Sequence, residues 1–248
     1  MAVAFDPACV GPALLEVSSR LANSLGAELE ALLLVDEDMS RFSELPFGRM
    51  FEPHSGKVEQ FDSSALRSHR AGALARTRAT LKRLADSHRV TCTLREFSAA
   101  ALVETSAATG GELLVIASRH TKFGGRPSID MDAVRIAVDS SRSVLLVSDL
   151  QAMSRVVVVV RDQTPVGERA KLIAEMIAAS EALDEDGEAS EISAGDDGVE
   201  TLAARIESLR PTLLVIGLED AEKAGALHDR VSSETCSVLF VRSPHPGV

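Results

Sequence analysis

Glu112-Leu113-Leu114-Val115-Ile116-Ala117 recurs as Thr212-Leu213-Leu214-Val215-Ile216-Gly217. Each is a short apolar run with β-branched members, and such runs read as strands buried on both faces, as in a parallel sheet. Working outward, Ser143-Val144-Leu145-Leu146-Val147 follows the first run and Ser237-Val238-Leu239-Phe240-Val241 follows the second. Upstream, Glu96-Phe97-Ser98-Ala99 is echoed by Glu191-Ile192-Ser193-Ala194, and Phe5-Asp6 by the apolar Arg155–Val160 with Arg161-Asp162 behind it. Landmarks that agree in order imply an internal repeat. The expected fold is α/β: an open, doubly wound parallel sheet in two tandem repeats, 1–150 complete and 151–248 shortened.

Crossover helices support that reading. After Val3-Ala4-Phe5 and Asp6-Pro7, the residues Leu14, Leu15, Val17, Leu21, Ala22 and Leu25 recur at three- and four-residue steps, and Gly26 stands where a helix would close. Ala31–Val35 is then an inner strand, and Asp36-Glu37-Asp38 ends it. Residues 39–62 hold Pro46, Gly48, Pro53 and Gly56 without a sustained period, which predicts a long loop whose Leu45, Phe47, Met50 and Phe51 should pack on the body. A helix follows with Leu66, Leu74, Leu81 and Leu84 on one face. Its Arg67, Arg70, Arg76, Arg78, Lys82 and Arg83 read as a solvated face ahead of a phosphate site. Val90–Phe97 alternates as a strand, and residues 102–109 and 130–140 read as helices. In the second half, Val166, Ala170, Ile173, Ala174 and Ile177 mark a helix. The acidic Glu181–Glu188 stretch there takes the place of the second strand.

Bulk properties exclude several functions. The chain has 248 residues, net charge −11 and three cysteines far apart in sequence. Phosphate contacts need clustered Lys and Arg, so nucleic acid is not expected as a main partner. Residues 1–150 carry 17 basic and 19 acidic residues, net −2, whereas 151–248 carry 9 and 18, net −9, which sum to −11. An anionic ligand should therefore prefer the first half. With no Trp or Tyr, stacking platforms for sugars or single strands are missing. No apolar run approaches the roughly 18 residues of a membrane span, and no secretory leader is recognisable, so a cytoplasmic location without a membrane partner is expected.

Neither His54, His69, His88, His228 and His245 nor Cys9, Cys92 and Cys236 show metal-ligand spacing. No nucleophile elbow, phosphate-binding P-loop or dinucleotide fingerprint is present. The loop Arg119-His120-Thr121-Lys122 with Arg126 follows a strand's carboxyl end, the usual ligand crevice of open α/β sheets. Those cations suit an anion or are plain exposed loop charges. Asp6 is suited to cap the next helix, to orient a ligand amine, or to do both.

The order strand-Asp, helix, strand, long loop and helix, strand, helix, then Leu113–Ser118 and Ser143–Ser148, resembles the universal stress protein family. The resemblance covers the first 148 residues well and residues 154–243 loosely, as a tandem member would. It implies a doubly wound α/β fold and, in many members, ATP at the strands' carboxyl ends, with Asp6 and Val35 near adenine. The family's phosphate motif is Gly, two residues, Gly, nine residues, then Gly and Ser or Thr. Its aligned positions here are Ala117, His120, Asp130 and Met131, and in the second half Gly217, Asp220, Arg230 and Val231. The first half has no glycine at these positions, and Asp130 puts a carboxylate where phosphate would sit, so the motif is degenerate.

The resulting expectation is a non-catalytic stress-response or regulatory protein with no cofactor, ATP being disfavoured. A protein partner or a homodimer is expected, because Ser143–Ser148 and Ser237–Val241 end each half as edge-like strands; alternatively these two pair with each other inside one chain. A second reading is a nucleotide or anion sensor at the first-half crevice, formed by Asp6, Val35, Ala117, Arg119, His120, Lys122 and Arg126. A third is an adenine-nucleotide-class α/β enzyme, for which no catalytic set is found.

Overall fold

The computed structural model describes residues 1–5, 12–35, 41, 45, 49–51, 56–60, 63–98, 113–117, 142–148, 155–161, 163–181, 189–195, 197–231 and 236–242. The strands are β1 Ala2–Phe5, β2 Leu29–Val35, β3 Arg49–Phe51, β4 Val58–Gln60, β5 Cys92–Ser98, β6 Leu113–Ala117, β7 Ser143–Val147, β8 Val156–Val160, β9 Ser190–Ser193, β10 Leu213–Gly217 and β11 Ser237–Phe240. The helices are α1 Pro12–Ser24, α2 Ser63–His88, α3 Pro165–Glu181, α4 Val199–Leu209 and α5 Ala221–Val231. The helices expected over 102–109 and 130–140 lie outside the described residues.

Nine strands form one sheet in the order β5-β2-β1-β6-β7-β11-β10-β8-β9. Every neighbouring pair is parallel except β7 and β11. The sheet is thus two parallel blocks joined at one antiparallel seam. Inner strands such as β8, five valines in a row, are buried at every residue because helices cover both faces. One core holds Val3, Phe5, Leu33, Val115, Leu145, Val158, Val215 and Leu239 under α1, α2 and α3. The other holds the alternate residues Leu32, Ile116, Leu146, Val159, Ile216 and Phe240, with Leu202 and Ile206 of α4 and Leu227 of α5. Both cores run through both blocks.

α1 closes as its sequence predicts. Gly26 adopts φ +59, and the Ala27 N–H reaches back to Ala22 O at 2.8 Å, a left-handed termination that favours glycine. On α2, Leu81 and Leu84 are buried while the six Arg and Lys residues are exposed, as expected of a solvated basic face. Arg70 pairs with Glu96 of β5.

The terminal strands pair with each other inside the chain. The register is Val144↔Phe240, Leu145↔Leu239 and Leu146↔Val238. The side-chain capping at the seam is reciprocal: Ser237 Oγ accepts the Ser148 N–H at 3.2 Å, and Ser143 Oγ accepts the Arg242 N–H at 3.2 Å. Each strand's opening serine therefore satisfies the backbone just past the end of its partner, which relates the two strands by a local two-fold axis.

Three expectations need correction. Residues 39–62 are not a plain loop, since β3 and β4 form an antiparallel hairpin with Phe51 opposite Val58. Three-residue strands are too short to show a period of two, which is why the sequence pattern missed them. The apolar residues there do not all pack, either: Leu45 is 43% and Phe51 60% exposed. The third correction concerns β9, whose sequence echoes β5. It lies directly beside β8, in the place that β2 holds beside β1, with Val160 opposite Ser193. Among the described residues one crossover helix, α3, lies between β8 and that adjacent slot, whereas the first block inserts β2 and α2 before β5.

Candidate functional site

Ligands of open parallel sheets bind outside the strands' carboxyl ends, where neighbouring crossovers leave in opposite directions. The sheet has two such points. In the first block β1 pairs with β2 on one side and β6 on the other; in the second, β8 pairs with β9 and β10. Val35 and Ala117, the last residues of β2 and β6, come to one edge of the sheet with the end of β1 between them. Asp6, Arg119, His120, Lys122, Arg126, Asp130 and Met131 lie outside the described residues.

The second block's crevice is described in detail. Ala117 corresponds to Gly217, which ends β10 opposite Val160. A Cβ at Gly217 would stand 2.5 Å from Ala170 Cβ and 3.2 Å from Val166 O. This glycine is needed for α3 to lie close on the sheet, a packing role that accounts for it without a phosphate. After β10 the chain turns through Leu218, Glu219 and Asp220 straight into α5. The family's long loop between motif glycines has no counterpart there: Arg230 and Val231 fall in the last turn of α5. Val231 is buried and Arg230 pairs with Glu200 at 3.0 Å.

Helix N-termini attract anions through their free N–H groups and the positive end of the helix dipole. In this crevice one such group on each of two helices is engaged by a side chain of the chain itself. Asp220 Oδ1 accepts the Lys223 N–H at 3.0 Å, so a carboxylate caps α5. Lys223 Nζ points away to Asp197 O at 2.8 Å. Arg205 Nη1 donates to Asp197 Oδ2 at 2.8 Å and to Ser193 O at 3.3 Å, which ties down the turn after β9. On the other side, Thr164 Oγ1 accepts the Gly167 N–H at 3.0 Å and donates to Arg161 O at 3.0 Å, capping α3. Glu168 sits in the first turn of α3 and Glu222 in that of α5. The carboxylates of Asp220, Glu168 and Glu222 make this edge acidic, and Lys223 and Arg205 are both engaged with Asp197. Sequence reading anticipated the acidic surroundings and missed the caps, although Asp220 three residues before Lys223 is a capping signal in itself.

Among the described residues no three His, Cys, Asp or Glu side chains are grouped to hold a metal ion. No described helix is long and apolar enough to cross a membrane. The Cys236 thiol is pushed up to about 11 by burial, so it is not a nucleophile near neutral pH.

A doubly wound, nearly all-parallel sheet with two switch points at its carboxyl edge defines an α/β protein of the universal stress protein fold. The chain is similar to a universal stress protein from Archaeoglobus fulgidus DSM 4304, with TM-score 0.55 and 13% identity over 97% of this chain and 96% of that one. It is also similar to a provisionally assigned universal stress protein from Pseudomonas aeruginosa UCBPP-PA14, with TM-score 0.53 and 12% identity over 97% and 92%. Neither a protein-family model nor a curated protein matches the sequence.

Proposed function

We propose that the chain is a non-catalytic stress-response or regulatory protein, built from tandem universal-stress-like units (1–150 and 151–248), that acts through protein contacts without tight ATP binding. The observation that carries this reading is the Asp220 carboxylate on the N-terminus of α5, in the place an anion would need. The degenerate motif at Ala117, His120, Asp130 and Met131 supports the same conclusion for the first unit, because it offers no glycine for close backbone approach to phosphate. A ligand at about 100 times its Kd adds about 2.7 kcal/mol of stability, enough to move a melting curve visibly. Millimolar ATP with magnesium should leave the melting temperature essentially unchanged, and mass spectrometry of the purified protein should find no nucleotide. A clear shift at low micromolar ATP overturns the proposal. It would favour instead an anion or nucleotide sensor at the first crevice, where Arg119, Lys122 and Arg126 follow β6 in sequence and Asp6, Val35, Ala117 and His120 complete the candidate set.

A further inference from the structure

Apart from the crevices, two surfaces stand out: a groove between the blocks, lined by Leu25, Leu113, Leu172, Ile173 and Met176, and the outer face of α2. The face of α2 carries the charge that selects an occupant. Its residues Arg67, Ala71, Ala75, Ala79 and Arg83 are spaced by four and exposed at every position, so they form one row along the helix. Arg78 and Lys82 stand in the neighbouring row on one side and Arg76 in the row on the other, and all three are exposed. Cations therefore border the strip of alanines at both ends and along both flanks, and Asp86 is the one carboxylate of the helix.

Elsewhere cations are matched with carboxylates: Arg95 with Glu30, Lys171 with Glu191, Arg205 with Asp197 and Arg230 with Glu200. Arg70 of the same helix pairs with Glu96 of β5. Arg67, Arg76, Arg78, Lys82 and Arg83 have no such pairing among the described residues, although the chain holds 37 acidic residues against 26 basic ones. Arg78 and Lys82 stand four residues apart, so their like charges repel along the helix, and a carboxylate between them relieves that repulsion. The complementary occupant is therefore anionic. A DNA duplex, with a charge every ~1.7 Å, meets stronger repulsion from the chain's net −11 than a helix with a few carboxylates does. No Trp or Tyr is present to stack an unpaired base. A protein helix suits the row better, because the short alanine side chains let it lie close while its own carboxylates reach the planar guanidinium groups on either side. We infer that the outer face of α2 docks an acidic helix of a partner protein. This names the surface and the kind of partner for the proposed action through protein contacts, and it rests on that reading.

The probe is a fluorescein-labelled, alanine-rich helical peptide with glutamates along both sides of one alanine row. Its anisotropy should rise saturably with added protein at low salt, and the affinity should fall several-fold as salt is raised, because exposed charge pairs are screened. Arg78→Gln/Lys82→Gln should weaken binding roughly tenfold, as expected for two exposed ion pairs. Arg155→Glu, at the start of β8, changes the net charge by the same amount and should leave binding as it is. Both variants should melt with the unmodified chain, since all three side chains are exposed. The inference is overturned by an absence of saturable binding, by an equal loss in Arg155→Glu, or by tighter binding of a DNA duplex at the same salt. Self-association that the Gln pair abolishes would assign the face to a second copy and overturns it too. ATP is assayed separately. If the peptide fails while ATP leaves the melt unchanged, this surface is lost and the proposed function stands; if the peptide binds while micromolar ATP shifts the melt, the reverse holds.

Discussion

The two switch points of the sheet are built on matching strands and end in different chemistry. Val115-Ile116-Ala117 and Val215-Ile216-Gly217 are buried to the same depth up to their last residues and flank β1 and β8 in the same parallel register. Beyond them the first block spends residues 118–142 before β7, whereas the second turns within three residues into a helix capped by Asp220. A strand is specified by a few apolar residues and its neighbours, so it survives divergence. An anion seat depends on free N–H groups at one helix start, and a single carboxylate removes it. The comparison teaches that the scaffold and its ligand chemistry are separable within one chain.

The largest test of the comparison is at the seam, where Leu145 faces Leu239 and both are fully buried. Leu145→Ala and Leu239→Ala should each cost about 2–5 kcal/mol in urea denaturation. The double variant should lose less than the sum, because both open one shared cavity. A cost several-fold larger at one site than at the other would break the equivalence of the two strands.

Next in size is Gly217→Ala, whose new Cβ meets Ala170 and should cost about 1–3 kcal/mol through overpacking. Adding Ala170→Gly should recover part of that loss. Ala117→Gly, at the matching strand end, should cost only about 0.5–1 kcal/mol, the backbone entropy of a glycine in a strand. Equal costs at 117 and 217 would show that α3 does not approach its strand as closely as the geometry requires.

Asp220→Ala removes the cap of α5 and should cost about 1 kcal/mol, with Asp220→Asn costing much less. Chemical denaturation of the three proteins measures this. No difference between Ala and wild type would remove the cap as the feature that distinguishes the second crevice.

The smallest effect is absent at neutral pH. Burial raises the Cys236 thiol from 9.0 to about 11, so folded and unfolded chains are both protonated below pH 9.0 and the group has no influence there. As pH rises from 9.0 through about 11 the unfolded thiol ionises first, and folding stability falls. The half-buried Cys92 is shifted in the same direction. Cys236→Ala should therefore show a shallower alkaline loss of stability than wild type, and an identical pH profile would refute the burial of that thiol.

Much of the scaffold was legible in the residues. β6, β7, β8, β10 and β11 are near-continuous apolar runs, and α1 carries its period and its terminal glycine in plain view. The hairpin β3–β4 was not legible, since its strands are three residues long and Phe51 and Val58 are exposed, so no buried face imposes a pattern. Of the candidate site, the sequence identified the acidic character around Gly217 but not that this glycine serves helix packing, because the partner atom on Ala170 is distant in sequence.

By itself the sequence determined the longer apolar strands and the crossover helices α1, α2 and α3. These follow from local period, length and composition, which act on neighbours along the chain. Only the tertiary structure decided that β9 lies beside β8, that β7 and β11 join antiparallel with reciprocal serine caps, and that α1 and α3 leave a groove between the blocks. Strand order depends on how many crossovers intervene and on which edges remain free to pair, and a groove depends on the distance between helices fixed to different strands. Those are relations between segments far apart in sequence, and no local pattern encodes them.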